Sequence, residues 1–134
     1  MGMKAPRVRN GFTLLEMTVV IMVMMTLLGT GLYVSKQYGN WQLARAAAEE
    51  VRTVYAAQRM YLADNPTAVV ANITSAQIIP YLPSRATTLP TVKSLTGATL
   101  SIRVNVTPPN INNGSGGVYD PSGFPKDSLW DAGQ

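Results

Sequence analysis

The residues in this sequence best placed to do chemistry are acids, and one of them stands where an acid is costly. Glu16 is the only ionisable side chain ahead of Tyr33 in the apolar run from Phe12 to Val34, and three cations, Lys4, Arg7 and Arg9, come just before that run. A lone carboxylate at mid-bilayer costs roughly 2.5–3.5 kcal/mol even on a lenient insertion scale, and less near a helix end. An acid kept in such a segment points to a function and to a partner of opposite charge. A second group, Asp120, Asp127 and Asp131, offers the hard oxygen donors that calcium takes. Their spacing is not that of an EF-hand. The simpler reading of this tail is a capping segment whose Phe124, Leu129 and Trp130 pack on a sheet.

Composition removes most other chemistry. The 134 residues include no cysteine and no histidine. Disulfides, thiol chemistry and most zinc or copper sites are therefore excluded. There is no Ser-His-Asp set, no phosphate-cradling glycine loop and no metal-binding helix motif, so nothing points to an enzyme. Met17, Met22, Met24 and Met25 are read as flexible packing groups rather than a redox box. The formal charge of +4 is concentrated at the start: beyond the first nine residues, eight cations face seven acids. A nucleic-acid partner is not expected, because its binder carries a basic patch on the folded part.

The elements that must position these groups follow from periodicity. Phe12–Val34 as a helix would span ~34 Å, enough for a ~30 Å hydrocarbon core. It is too long for the apolar region of a secretory signal peptide, although Ala44 and Ala46 offer a weak cleavage pattern. The leading cations place the N-terminus in the cytoplasm, and Tyr33, Tyr38 and Trp41 suit an interfacial aromatic belt. Beyond it, Leu43, Ala47, Val51, Val54, Tyr55 and Leu62 recur at three- and four-residue spacings and make one apolar stripe. Arg45, Glu49, Arg52 and Arg59 fall mostly away from that stripe, with Arg45–Glu49 and Glu49–Arg52 spaced to pair. Asn65-Pro66 is a stop, and Gly39-Asn40 is a place for a bend. In the remainder, Thr74 or Ser75 caps a short helix that Pro80 ends. Leu100, Ile102, Val104 and Val106 alternate as the best strand, with Thr91–Leu95 as a hairpin partner across Gly97. Pro108-Pro109 ends the strand, "NINNGSGG" follows as a mobile loop, and the Asn72, Asn105 and Asn113 sequons are read as ordinary polar positions. The prediction is an α+β chain: a long N-terminal helix, transmembrane in its first half and amphipathic in its second, packed on a small C-terminal antiparallel-sheet head.

The stretch "GFTLLE", Gly11 to Glu16, set after a short basic leader and before an unbroken apolar helix, resembles the processing site of type IV prepilins and of type II secretion pseudopilins. The resemblance implies that a membrane prepilin peptidase cuts after Gly11 and methylates the new amine of Phe12. Glu16 then meets that amine on a neighbouring copy during assembly. It further implies residues 1–11 as leader, 12–34 as transmembrane and filament-core helix, 35–64 as amphipathic stem and 65–134 as head. The partners implied are the chain itself in a homo- or hetero-oligomeric filament, the peptidase, an assembly platform and the inner membrane, with the head on the extracytoplasmic side. Many relatives carry a proline midway along this helix. This chain has none there, and Gly29 and Gly31 are its weak points or its close-packing points. Another architecture fits the same elements: a monomeric membrane-tethered domain that holds calcium or a substrate in its C-terminal loops.

Overall fold

Helix α1 runs from Leu14 to Asp64. It is seen in a computed structural model that describes Gly2 and residues 11–120. It begins immediately after Thr13, and its end falls one residue before the Asn65-Pro66 stop, where the Asn65 amide and side chain both bond the Tyr61 carbonyl. The helix persists through Gly29, Gly31, Gly39 and Asn40. The chain divides after Tyr38 into two units, 1–38 and 39–134.

In the first unit α1 is bare. Every side chain from Leu14 to Tyr38 is exposed. In the second unit the same helix turns one face inward: Ala44, Ala47, Ala48, Val51, Val54, Ala57 and Gln58 are buried. Four of those seven are alanines, which cost no side-chain entropy in a helix and let a sheet approach the backbone closely. Leu43, Tyr55 and Leu62, expected on the stripe, are only half-buried and flank it.

The head is built from short pieces. A 3₁₀ turn at Val70–Asn72 leads to helix α2, Ser75–Ile78, with Thr74 as N-cap. Gln77 reaches back so that its Oε1 accepts from the Thr74 amide at 2.8 Å, a local bond that fixes the start of the turn. Pro80 then sits in a 3₁₀ turn, Ile79–Tyr81, rather than in the α-helix, as its missing donor requires. Three antiparallel strands follow: β1, Thr91–Lys93; β2, Thr99–Arg103; and β3, Asn110–Ile111, in spatial order β1-β2-β3. Val92 faces Leu100 and Ile102 faces Ile111, so one face of the sheet is apolar. With Val104, that face packs on Ala47, Val51, Val54 and Ala57 of α1 and on Ile73, Ile78 and Leu82. Thr91, Lys93, Thr99, Ser101 and Arg103 alternate outward. The β1–β2 hairpin turns at Gly97, whose φ of 86° is costly for any residue with a Cβ.

One segment departs from its sequence reading. "NINNGSGG" is not loop throughout: Asn110–Ile111 is β3, and Asn112 bridges Val118. Ile111 supplies the reason, because it is buried in the core opposite Ile102. Asn113 folds the rest, its Oδ1 accepting from the Ser115 and Gly117 amides, each at 2.9 Å. Arg103 donates from Nη2 to the Gly116 carbonyl, to the Gly117 carbonyl at 2.9 Å and to Asn112 Oδ1 at 3.1 Å. A guanidinium on the strand thus gathers the carbonyls of the loop.

The contact with most leverage is polar. Gln58, fully buried on α1, donates from Nε2 to the carbonyls of Val104 and Val106, both at 2.8 Å, and its Oε1 accepts from Thr107 Oγ1 at 2.9 Å. Residues past the end of β2 have no ladder to satisfy their carbonyls, and the helix side chain does so instead. Gln58→Leu keeps the volume but strips partners from buried groups, so it should cost about 1–3 kcal/mol, read as a lowered denaturation midpoint of the detergent-solubilised chain.

A second bond closes the far end of α1. Tyr81 donates its hydroxyl to Asp64 Oδ2 at 2.9 Å, while its ring meets Tyr61 edge-on at 5.9 Å between centroids. The hydrogen bond to Asp64, chiefly, raises the Tyr81 pKa above its usual 10.0. A raised folded-state value means that this contribution is complete below about pH 10 and is lost as pH climbs through the folded value. Melting temperature should therefore fall more steeply with pH above about 10 in the wild type than in Tyr81→Phe.

Candidate functional site on the apolar helix

The site is the first turn of α1 and the apolar length that follows. Gly11 and Phe12 precede the helix and are exposed, Phe12 by 76%. Thr13 is the N-cap. Its Oγ1 accepts the amide of Glu16 at 3.1 Å, and its carbonyl accepts the amide of Met17 at 3.1 Å. Glu16 thereby stands at the third helical position, in the first turn. Its negative charge there complements the positive end of the helix dipole. The signal for this was present in the sequence as Thr-x-x-Glu ahead of an apolar run, the capping-box pattern, and a reading centred on the membrane cost of Glu16 passes over it.

The remaining polar side chains between Leu14 and Leu32 are threonines, and each hydroxyl is satisfied inside the helix. Thr18 donates to the Leu15 carbonyl at 2.7 Å, Thr26 to Val23 at 2.7 Å, and Thr30 to Leu27 at 2.9 Å. Such back-bonding presents a methyl group and no free donor to the surroundings. The result is an apolar cylinder whose backbone and hydroxyl groups are internally bonded, as a lipid or protein-core environment demands. The exposed first half of α1 is long and apolar enough to cross a membrane. A shallow groove of about 430 Å³ lies between Met24, Leu27, Leu28, Gly31 and Leu32. Among the described residues nothing pairs with the carboxylate of Glu16, which leaves it the one unsatisfied polar side chain of the segment.

Residues 6–32 match the family model described as the prokaryotic N-terminal methylation motif. This chain carries a prepilin-type signal. The match supports a type IV pilin-like or pseudopilin precursor; Gly11, Phe12 and Glu16 all lie inside the matched region, which ends before the head begins. No curated protein and no solved structure matches the chain.

Other residues singled out in the sequence fall elsewhere. Tyr33, Tyr38 and Trp41 are all exposed, at 66%, 59% and 44%, as an interfacial belt requires. The Trp41 ring carries the Arg45 guanidinium 5.4 Å from its centroid, and Arg45 pairs with Glu49 at 3.3 Å. Lys4, Arg7 and Arg9 lie outside the described residues, as do Asp127 and Asp131 of the calcium candidates and Phe124, Leu129 and Trp130 of the capping segment. Asp120 is described and half-buried, and no metal-binding group of three acids forms among the described residues.

The Thr13 cap has a measurable consequence. Thr13→Ala removes the acceptor for the Glu16 amide and should cost the first turn ~1 kcal/mol, about a fivefold loss of protection there. Amide hydrogen exchange at Leu15 and Glu16 in micelles should accelerate by that order, while Thr13→Ser restores the wild-type rate.

Proposed function

We propose that the protein is a structural subunit of a type IV pilus-like or type II secretion pseudopilus filament. It is held in the inner membrane by the apolar half of α1, with its N-terminus cytoplasmic and its head outside. The peptidase cuts after Gly11, Phe12 becomes the methylated N-terminus, and the subunit then passes from an assembly platform into the filament.

The observation that carries this reading is the carboxylate of Glu16. It has no partner among the described residues, on a helix segment that otherwise satisfies itself, and it lies within the matched motif. Cleavage supplies the missing charge: an amine at Phe12, four residues ahead of Glu16. An amine and a carboxylate of one chain are each costly in an apolar medium, and a docked neighbour neutralises both. The pair adds little net stability against water. Its larger effect is register, since any other stagger leaves a bare charge among side chains such as Leu14 and Met17. The exposed apolar length of α1, with the groove beside Gly31, gives the neighbouring helix a surface to pack against.

Two measurements test it. Mass spectrometry of the native protein should find Phe12 at the N-terminus with one added methyl group. Glu16→Gln should be inserted and cut normally yet yield no sedimentable polymer. A native chain still starting at Met1, or normal polymer from the glutamine variant, overturns the reading.

A further inference from the structure

A second unpaired carboxylate lies on the half of α1 that packs against the head. Glu50 is half-buried on α1 at the wall of a groove of about 360 Å³, which Thr53, Leu82, Pro83, Ala86 and Pro90 also line. Among the described residues it has neither a hydrogen bond nor an ion pair. The groove combines the apolar side chains of Leu82, Pro83, Ala86 and Pro90 with the Glu50 carboxylate. That combination fits the side chain of an arginine or lysine, whose methylene stem lies on apolar surface while its head meets a carboxylate.

The cation is present on the same helix, on the other side. Arg45, Arg52 and Arg59 recur at seven-residue intervals and are all exposed. Arg59 is nine residues beyond Glu50, which at ~100° per residue places it on the opposite side of α1. Its guanidinium lies 5.8 Å from the Tyr55 ring centroid, which holds the side chain in place, and no acid pairs with it among the described residues. Arg45, by contrast, is committed to Glu49.

Complementary groups on opposite sides of one element cannot meet within a molecule. Only a contact between copies can bring them together, and because the two patches differ, such a contact is heterologous and would propagate instead of closing into a two-fold dimer. We propose that Arg59 of one copy docks in the Glu50 groove of the next, forming a subunit contact at the level of the heads. The proposal rests on the filament reading above and adds a contact that the helix motif does not contain. Partial burial of Glu50 strengthens the pair relative to a fully exposed one, and the hydroxyls of Thr53 and Thr88 at the groove offer the incoming guanidinium further acceptors.

Charge exchange in the full-length protein tests it, expressed with its own assembly system. Glu50→Arg and Arg59→Glu should each lower the sheared polymer by about tenfold, with membrane level, N-terminal processing and melting temperature unchanged. The isosteric Glu50→Gln should show the same direction with a smaller loss. Combining Glu50→Arg with Arg59→Glu should return polymer to within about threefold of wild type. Wild-type polymer from any one of the single variants, or no recovery in the combined variant, overturns the contact. If the wild type itself forms no polymer under these conditions, the filament reading fails and this one with it; if wild-type polymer forms but is indifferent to Glu50 and Arg59, only the head contact fails.

Discussion

An apolar helix surface that no other described residue covers dominates this protein. From Leu14 to Tyr38 every side chain is exposed, including residues such as Leu14 at 85% and Leu32 at 74%. Apolar area of that extent is not left in water, because it is worth about 25 cal/mol per Å² to remove it. The sequence meets this demand locally in every way open to a helix. Threonine hydroxyls bond backward, the backbone is paired along the run, and the acidic and basic side chains are kept toward the ends, at Glu16 and Lys36. A chain so prepared is suited to lipid and to neighbouring helices alike. That dual compatibility is what a subunit needs if it is to leave a membrane for a filament.

The second half of the same helix solves the opposite problem. Its buried face is mostly alanine, so it gains little by area per residue but allows a close approach. The sheet is small, with strands of three, five and two residues, and cannot stand alone. It is completed by the helix: Val51 and Val54 meet Val92, Ile102, Val104 and Ile111, and Gln58 takes the carbonyls that the short ladder leaves open. Helix and head are therefore one folding unit, and the unit boundary falls at Tyr38, inside the continuous helix, rather than at Asn65 where the helix ends.

Much of this was legible in the sequence because it rests on local rules. The extent of α1 follows from the apolar run, the alanine-rich stripe and Asn65-Pro66. The β1–β2 hairpin follows from alternation around Gly97, and the cap at Thr74 from its position before an apolar pair. What was not legible depends on contacts distant in the chain. Gln58 reads as one more polar residue on a helix, and only the arrival of Val104 and Val106 makes it a buried ligand of the backbone. Ile111 sits among asparagines and glycines, so composition marks the segment as loop, while burial against Ile102 makes it strand. The Thr13 cap is a different case: its pattern was local and visible, but two explanations competed for Glu16, and the costlier environment drew the attention.

The cap at Thr13 and the membrane cost of Glu16 act on the same turn. Thr13 fixes the amide of Glu16 and with it the direction in which the first turn starts. A helix dipole favours an anion at that position and disfavours a cation just ahead of it. In an isolated subunit, an amine created at Phe12 would therefore sit at the unfavourable end of its own helix, while its carboxylate sits at the favourable end without a counter-ion. In the proposed filament, docking two copies with an axial offset would relieve both conditions at once: the amine would leave the field of its own first turn for the carboxylate of the neighbour. The drive toward that proposed offset would come from the subunit's own electrostatics, before any packing between apolar surfaces is counted. The packing then supplies affinity with little preference for register, since leucines, valines and flexible methionines along the run accommodate many staggers. In that proposed contact, specificity and strength would reside in different residues, with the short acidic turn setting the register of an interface whose area lies almost entirely elsewhere.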